Sequence, residues 1–159
     1  MAADRPAALG ARTLCEALMT TAAERAGQVA LRTPDDAPSL TYAEAMERIE
    51  ALAAGLHGLG VSRGDTVGIM LVNRPGFHLV DAAAMLLGAC PFSVYNTNPP
   101  DVIRYVMEDA GNDVVITEQQ FLPVIREAGV GKTIVSLDGG DGVLGIGDLV
   151  AAAQDGFDL

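Results

Sequence analysis

Two glycine-rich segments are the parts of this 159-residue sequence that most resemble a phosphate-binding motif. Gly131-Lys132-Thr133 has the ending of the P-loop pattern G-x-x-x-x-G-K-[ST], but Arg126 occupies the position of the first glycine. A P-loop also follows a strand and opens a helix, whereas this segment follows a predicted helix and enters a predicted strand. We therefore do not interpret it as a phosphate site.

The second segment, Gly140 to Gly145, matches the dinucleotide pattern G-x-G-x-x-G and lies between a predicted strand and a predicted short helix. Three aspartates, Asp138, Asp141 and Asp148, would surround a pyrophosphate there with negative charge. That charge opposes the attraction that a helix N-terminus offers to an anion. No later strand clearly presents the acid that would bind the ribose. We interpret the segment as a flexible surface loop.

The remaining titratable and nucleophilic side chains do not form a catalytic set. His57 and His78 each lie on a predicted helix without a second ligand at suitable spacing, so we expect structural or surface roles. Cys15 and Cys90 lie in apolar stretches, which predicts two buried free thiols in a reducing cytoplasm. No G-x-S-x-G elbow occurs. The sequence accordingly predicts no catalytic, cofactor-binding or metal-binding residue.

The elements that surround these residues alternate between helix and strand. Capping boxes at Thr13–Glu16, Thr41–Glu44 and Thr117–Gln120 each predict a helix start, and the clearest helix runs from Tyr42 to Leu59. Asn73 and the pair Asn98-Pro99 predict two further starts. Strands are predicted at 67–72, 92–95, 114–116 and 133–137, helices at 118–127 and 148–153, and a loop at 138–147.

Strands that recur every 20–25 residues with helices between them indicate βαβ units. The predicted fold class is α/β: a mostly parallel βα-repeat sheet with covering helices. Half of the residues are apolar but only 4% are aromatic, so aliphatic side chains must build the core. We expect residues 1–12 to be disordered or extended and residues 13–159 to form one partial subdomain.

Charge and hydropathy exclude several classes of partner. The net charge of −11 opposes binding to nucleic acid. The most apolar stretch, Leu79 to Cys90, contains Asp81 and is too short for a transmembrane segment. Residues 1–12 lack a basic region followed by an apolar run, so no secretory signal is expected. The predicted location is the cytoplasm.

Several short segments, in order and at consistent spacing, resemble the amino-terminal region of AMP-forming fatty-acyl-CoA synthetases, a branch of the adenylate-forming superfamily. The likeness extends from about Thr13 to Thr117. The segments are LTYAE at 40–44, GVSRGDTVGI at 60–69, Asn73, GA at 88–89, YNT at 95–97, IRY at 103–105 and DAG at 109–111. Their physical roles are structural, since they cap helices and form turns.

The resemblance implies a family that joins a fatty acid to AMP, using ATP and Mg²⁺, and then transfers the acyl group to coenzyme A. The family's phosphate loop and later motifs do not occur in these 159 residues. We therefore expect a part of the adenylate-forming N-terminal domain that is inactive alone and has no cofactor site of its own. An unsatisfied sheet edge and exposed apolar patches are also expected.

Two other interpretations stay open at this point. The chain could be a complementing subunit that joins a separately encoded remainder to restore a ligase that acts on a fatty acid and CoA. It could instead be a non-catalytic α/β module that binds a small molecule or a protein, because a fold does not fix a function.

Overall fold

A computed structural model of the chain describes residues 5–33 and 39–153. Residues 1–12 were expected to be disordered or extended; residues 1–4 lie outside the described range, and Ala7–Gly10 form a 3-10 helix instead. Residues 154–159 of the predicted subdomain also lie outside this range. The internal contacts of the chain divide it into two compact units, residues 1–50 and 51–159. Each unit is described separately below.

The first unit contains short elements around two helix starts. A 3-10 helix spans Ala7–Gly10, α1 spans Leu14–Glu24, and the strands β1 (Val29–Leu31) and β2 (Leu40–Thr41) pair antiparallel. This pair was not predicted, because strands of two and three residues are too short to show alternation. Helix α2, Tyr42–Gly58, begins directly after β2 and continues into the second unit.

Two of the three predicted capping boxes are present in this unit. The Glu16 N–H donates to Thr13 Oγ1 at 3.0 Å, and the Glu44 N–H donates to Thr41 Oγ1 at 3.3 Å. Glu44 reciprocates by accepting from the Thr41 N–H at 2.8 Å, whereas Glu16 accepts from the N–H of Arg12 instead. These side chains satisfy N–H groups that the first helical turn leaves without partners.

The second unit is a parallel sheet covered by helices. All neighbouring strands are parallel, and their order is β4-β3-β5-β6-β7. This confirms the predicted α/β fold class. Its elements after α2 are β3 Thr66–Met70, α3 Pro75–Leu86, β4 Cys90–Ser93, α4 Pro100–Ala110, β5 Val114–Thr117, a 3-10 helix Gln119–Phe121, α5 Leu122–Ala128, β6 Thr133–Ser136, β7 Leu144–Gly145 and α6 Ile146–Ala151.

The strand order determines which face each helix covers. The chain passes from β3 outward to β4 and then back across β3 to β5, so right-handed crossovers place α3 and α4 on opposite faces. On the α4 face, α4 and α5 pack together over a buried apolar cluster. The buried members of this cluster are Met70, Val94, Ile103, Met107, Val115, Ile125, Ala128 and Val130.

Most of the predicted elements are present, with shifted ends. The third capping box was wrong, because Thr117 belongs to β5 and its Oγ1 donates to the Met70 carbonyl at 3.1 Å. Helix α3 begins at Pro75 and not after Asn73, and α4 begins at Pro100 with Pro99 as its N-cap. The predicted loop at 138–147 contains the short strand β7. The first and last residues of a helix or strand depend on tertiary packing as well as on local sequence signals.

A close helix contact within the second unit involves Gly55 in the carboxyl half of α2. A Cβ atom at this position would lie 2.8 Å from Leu149 Cγ and 2.9 Å from the Leu149 carbonyl oxygen. The absence of a side chain therefore permits α2 and α6 to approach closely. Gly58, one turn later on α2, has no neighbouring atom within 4 Å of its equivalent position.

Both cysteines are free thiols, as predicted, but their burial was overestimated. Cys15 is half-buried, whereas Cys90 is exposed at the start of β4. Cys90 is exposed because β4 forms the edge of the sheet and has a neighbouring strand on one side only. Across residues 5–33 and 39–153, the helices are all too short or too polar to cross a bilayer.

Candidate functional site

The place in this sheet where a ligand site is expected is the crevice at the carboxyl ends of β3 and β5. In open α/β sheets, ligands bind where successive crossovers run in opposite directions. Here that change occurs at β3, whose following helix covers one face while α4 covers the other. The loops after Met70 and Thr117 therefore form the two sides of the candidate site.

An ion-pair cluster joins these loops. Arg74, at the N-cap of α3, places its Nη1 3.2 Å from Glu118 Oε1 and 3.1 Å from Asp138 Oδ1. Glu118 follows β5 directly and is 1% exposed, whereas the Arg74 side chain is 43% exposed. Asp138 lies in the turn after β6. One guanidinium thus joins three loops that follow neighbouring strands.

Further hydrogen bonds complete this carboxyl-end cluster. Gln120 Nε2 donates to Glu118 Oε2 at 2.6 Å, so both oxygens of the buried carboxylate have donors. Burial by itself would lower the pKa of Arg74, but hydrogen bonds to Asp138 and Glu118 outweigh it and raise the pKa. The guanidinium is therefore permanently charged and already committed to two carboxylates.

This arrangement closes the crevice instead of preparing it for a substrate. The Thr117 hydroxyl bonds to the Met70 carbonyl across the two strands, and Arg74 bonds across their loops. The cluster carries two carboxylates against one guanidinium, which is unfavourable for a triphosphate. It contains neither a histidine nor a cysteine that could act as a base or nucleophile. Chemically, it is a structural brace.

A cavity of about 350 Å³ lies at the opposite, amino ends of β3 and β5. Asp65 is one of its carboxylates, and hydrogen bonds from the side chain and then the backbone of Ser62 lower the pKa of Asp65. Asp113 pairs with Lys132 at 2.8 Å, and both side chains are exposed. The lining residues are Leu59, Gly60, Val61, Gly64, Asp65, Thr66, Ala110, Gly111, Asp113 and Val114.

Neither glycine-rich segment has the setting of a phosphate-binding loop, and the second, predicted as a flexible surface loop, contains strand β7. Gly131 and Lys132 lie between α5 and β6, so the helix precedes the strand and no P-loop geometry is formed. Gly140 to Gly145 runs through a turn into β7. Within it, the Asp141 carbonyl accepts from Arg126, while neighbouring Asp138 is paired with Arg74. Both arginines therefore hold this part of the chain in place by bonds to protein groups and not to a ligand.

The histidines lie outside both locations. His57 is in the last turn of α2, and His78 in α3 makes an edge contact with Phe77 at a ring-centroid distance of 5.7 Å. In the described part of the chain, three or more His, Cys, Asp or Glu side chains nowhere converge as a metal site would require.

Sequence reasoning missed the residues that define the carboxyl-end cluster. Arg74 was not considered, Glu118 was only the first residue of a predicted helix, and Asp138 was only one of the acidic residues around the predicted loop. The available signal was their position, since each follows a predicted strand within a few residues. Carboxyl ends of parallel strands meet at one edge of a sheet, which would have placed them together.

Comparison with known proteins now adds the family. The model of the AMP-binding enzyme family matches residues 18–148, most of the chain. The chain belongs to this family. It is the amino-terminal part of the adenylate-forming ligase fold: a putative long-chain-fatty-acid CoA ligase from Rhodopseudomonas palustris has a TM-score of 0.81 and 27% identity, with 93% of this chain covering 38% of that one.

Two relatives illustrate how differently the family's members are built. The 4-hydroxybenzoate–CoA/benzoate–CoA ligase of Rhodopseudomonas palustris is 29% identical, and the match covers 83% of this chain but 25% of the ligase. The uncharacterized protein Rv1549 of Mycobacterium tuberculosis is 45% identical over 128 residues, which are 80% of this chain and 73% of Rv1549. The family thus includes a protein of similar length.

The described residues do not fit ATP and Mg²⁺, the groups that the resemblance to fatty-acyl-CoA synthetases implies. A triphosphate needs a cradle of backbone N–H groups or cations, and Mg²⁺ needs oxygen ligands beside it. The one arginine in the carboxyl-end crevice is held by two carboxylates, and the Gly-Lys-Thr segment precedes a strand. Residues 5–33 and 39–153 therefore present no group set to which we can assign a step of that chemistry.

Proposed function

We propose that this chain is the amino-terminal part of a fatty-acid–CoA ligase module and is inactive in ATP-dependent acyl activation on its own. Its contribution is a scaffold, the parallel sheet and its helices, against which the rest of an adenylate-forming domain folds. ATP, Mg²⁺, CoA and the fatty acid belong to the complete module in this proposal. Fatty acid is the proposed substrate class because of the resemblance in segments 40–111.

The observation that carries the proposal is the closed carboxyl-end crevice. Arg74, Glu118 and Asp138 satisfy one another across it, and the Thr117–Met70 hydrogen bond joins the strands beneath. Stabilising a transition state requires donors aimed at developing negative charge, and those donors supply many kcal/mol in an active site. The guanidinium of the crevice is held by two carboxylates, and the buried Ser136 hydroxyl at the end of β6, which has no partner, carries no charge.

A second candidate is a complementing subunit of a split ligase. The similar length of Rv1549 favours it, because a relative of this size exists as a separate protein. In this case the chain would associate with a second polypeptide that carries the phosphate loop. We expect either form to work in the cytoplasm, where the free thiols of Cys15 and Cys90 would stay reduced.

The test is palmitate-dependent pyrophosphate release and palmitoyl-CoA formation with ATP, Mg²⁺ and CoA. The purified chain is assayed alone and mixed with the Rhodopseudomonas palustris ligase of known structure from which the matched segment has been deleted. We expect no product from either polypeptide alone. Product only in the mixture supports the complementing subunit, and product from the chain alone contradicts the proposal. Benzoate in place of palmitate tests the substrate class.

A further inference from the structure

We infer that residues 138–143 form a strap that shuts the carboxyl ends of β5 and β6, and that this strap opens while the sheet stays folded. The segment follows β6 and leads into β7. We call it the strap. The inference concerns access to the carboxyl-end crevice and does not depend on the proposed function.

Two arginines hold the strap. Arg74 Nη1 lies 3.1 Å from Asp138 Oδ1, and the two side chains are 43% and 38% exposed. Arg126, in the last turn of α5, donates to the Asp141 carbonyl at the protein surface. An ion pair that water reaches contributes little to stability. The strap is therefore held by contacts that break without loss of any hydrogen bond between strands.

Glycines allow the strap to change its conformation. Gly139 and Gly142 have φ values of 76° and 69°, in the left-handed region that glycine enters without steric cost. Gly140, between them, lies against the start of α5, because a Cβ atom there would be 2.7 Å from Leu122 Cδ1. The strap thus has a conformationally free residue near each end and a packing contact in the middle.

The strap begins beside a buried side chain that lacks a partner. Ser136, the last residue of β6, is 0% exposed, and among the described residues its hydroxyl has no hydrogen-bond partner. Alternate residues of a strand share a face, and Ile134 packs against the buried cluster that α4 and α5 cover. Ser136 therefore faces the same side, which is also the side where Gly140 contacts α5.

Opposing contributions decide how often the strap is open. A hydroxyl that is buried without a partner loses its hydrogen bonds to water, and this penalty is relieved when water enters. Closure is favoured by the Asp138 ion pair and by packing of Gly140 on Leu122. Opening breaks only the Asp138 half of the carboxyl-end cluster, because Glu118 still holds Arg74. The cost of opening is therefore small, and hydration of Ser136 recovers part of it.

The strap restricts a place where sheets of this kind bind ligands. Ligands of open α/β sheets enter at the carboxyl ends of the strands. A molecule that reaches the ends of β5 and β6 must bind the open form, so its apparent affinity is reduced in proportion to the open fraction. The strap is thus an autoinhibitory contact of the crevice.

Thiol labelling of the intact chain tests the inference. Cys15→Ser and Cys90→Ser remove the native thiols, and Ser136→Cys places one beside the strap. Ala83→Cys places a reference thiol in α3, at a position that is also 0% exposed. With an aromatic disulfide reagent in excess, the Ser136→Cys thiol should react at least about tenfold faster than the reference, because local opening costs less free energy than global unfolding.

A second pair of substitutions tests how the strap is held. Asp138→Ala removes the ion pair with Arg74 and should speed labelling of the Ser136→Cys thiol about two- to fivefold. Asp113→Ala is the matched control, because it removes the exposed ion pair with Lys132 at the amino ends of β5 and β6. It should change the labelling rate by less than about 1.5-fold.

Hydrogen exchange of the strap is an independent measurement that needs no new thiol. Ser136→Ala removes the hydroxyl whose hydration favours opening, so amide exchange at residues 139–143 should slow about fivefold. Asp138→Ala should speed exchange at the same residues, because it removes a contact of the closed strap.

Three results would overturn the inference: equal labelling of the thiols at positions 136 and 83, equal rates after Asp138→Ala and Asp113→Ala, or strap exchange that Ser136→Ala does not slow. None of these measurements involves acyl activation. Their outcome is therefore separate from that of the palmitate assay for the proposed function.

Discussion

Arg74→Met tests whether the carboxyl-end cluster braces the fold. The substitution retains much of the side-chain volume and removes the charge that faces buried Glu118. Arg74 makes no side-chain cap for α3, so the change does not remove a helix cap as well. We expect the free energy of unfolding to fall because the buried Glu118 side chain loses its ion-pair partner.

The magnitude follows from the exposure of the two partners. Breaking a fully buried ion pair costs about 3–5 kcal/mol, and a surface pair is worth about 0–1 kcal/mol. Because Arg74 is 43% exposed and Gln120 still donates to Glu118 at 2.6 Å, we expect about 2 kcal/mol. Glu118→Gln in the Arg74→Met background should recover about 1 kcal/mol, since the charge still without its partner is then that of Asp138, which is partly exposed to water.

Urea unfolding followed by circular dichroism measures these changes by linear extrapolation. Lys132→Met is the matched control, because it removes the exposed ion pair with Asp113 and should cost less than about 0.5 kcal/mol. The reasoning is refuted if Arg74→Met costs no more than this control. It is also refuted if the second substitution gives no recovery.

Two further predictions concern packing and pH. Gly55→Ala should destabilise the chain by about 1–3 kcal/mol, because the new Cβ would overlap Leu149. Gly58→Ala, where no atom is close, should stabilise the chain by about 0.5–1 kcal/mol in the same urea assay. Equal effects of the two substitutions would contradict the close contact at Gly55. The lowered pKa of Asp65 stabilises the fold above its unfolded value of about 3.9, and this stabilisation is lost as pH falls through the folded pKa. Thermal unfolding should show Ser62→Ala less stable than the unmodified chain near pH 6, with a difference that shrinks below about pH 4, and a constant difference would argue against this linkage.

The fold was predictable from the sequence where a helix-capping motif is followed by apolar residues at helical spacing. Helix α2 was expected to start at Tyr42 because Thr41 and Glu44 cap it, and the structure shows both hydrogen bonds. Thr117 shows the limit of such reasoning. The residues from Thr117 to Gln120 match the capping-box pattern. In the structure, however, Thr117 is the last residue of β5 and is paired with Met70 of β3. Tertiary pairing thus overrode a local motif.

The candidate site was less predictable, because its members are far apart in the sequence. Arg74 and Glu118 are separated by 44 residues, and Arg74 and Asp138 by 64. Their meeting depends on β3, β5 and β6 being neighbours, which requires the strand order and not only the strand positions. The exposed position of Cys90 follows from β4 being an edge strand, and the sequence signal for this was Pro91, because proline within a strand is confined to edges.

Pro91 also has a consequence for the lifetime of the free chain in a crowded cell. An exposed parallel edge is a template on which unrelated unfolded chains can add as strands, and repeated addition leads to fibrous aggregates. With no N–H at Pro91, an incoming strand would lack one hydrogen bond near the middle of β4. The missing N–H therefore protects the exposed backbone edge of β4 from incorrect strand pairing after synthesis.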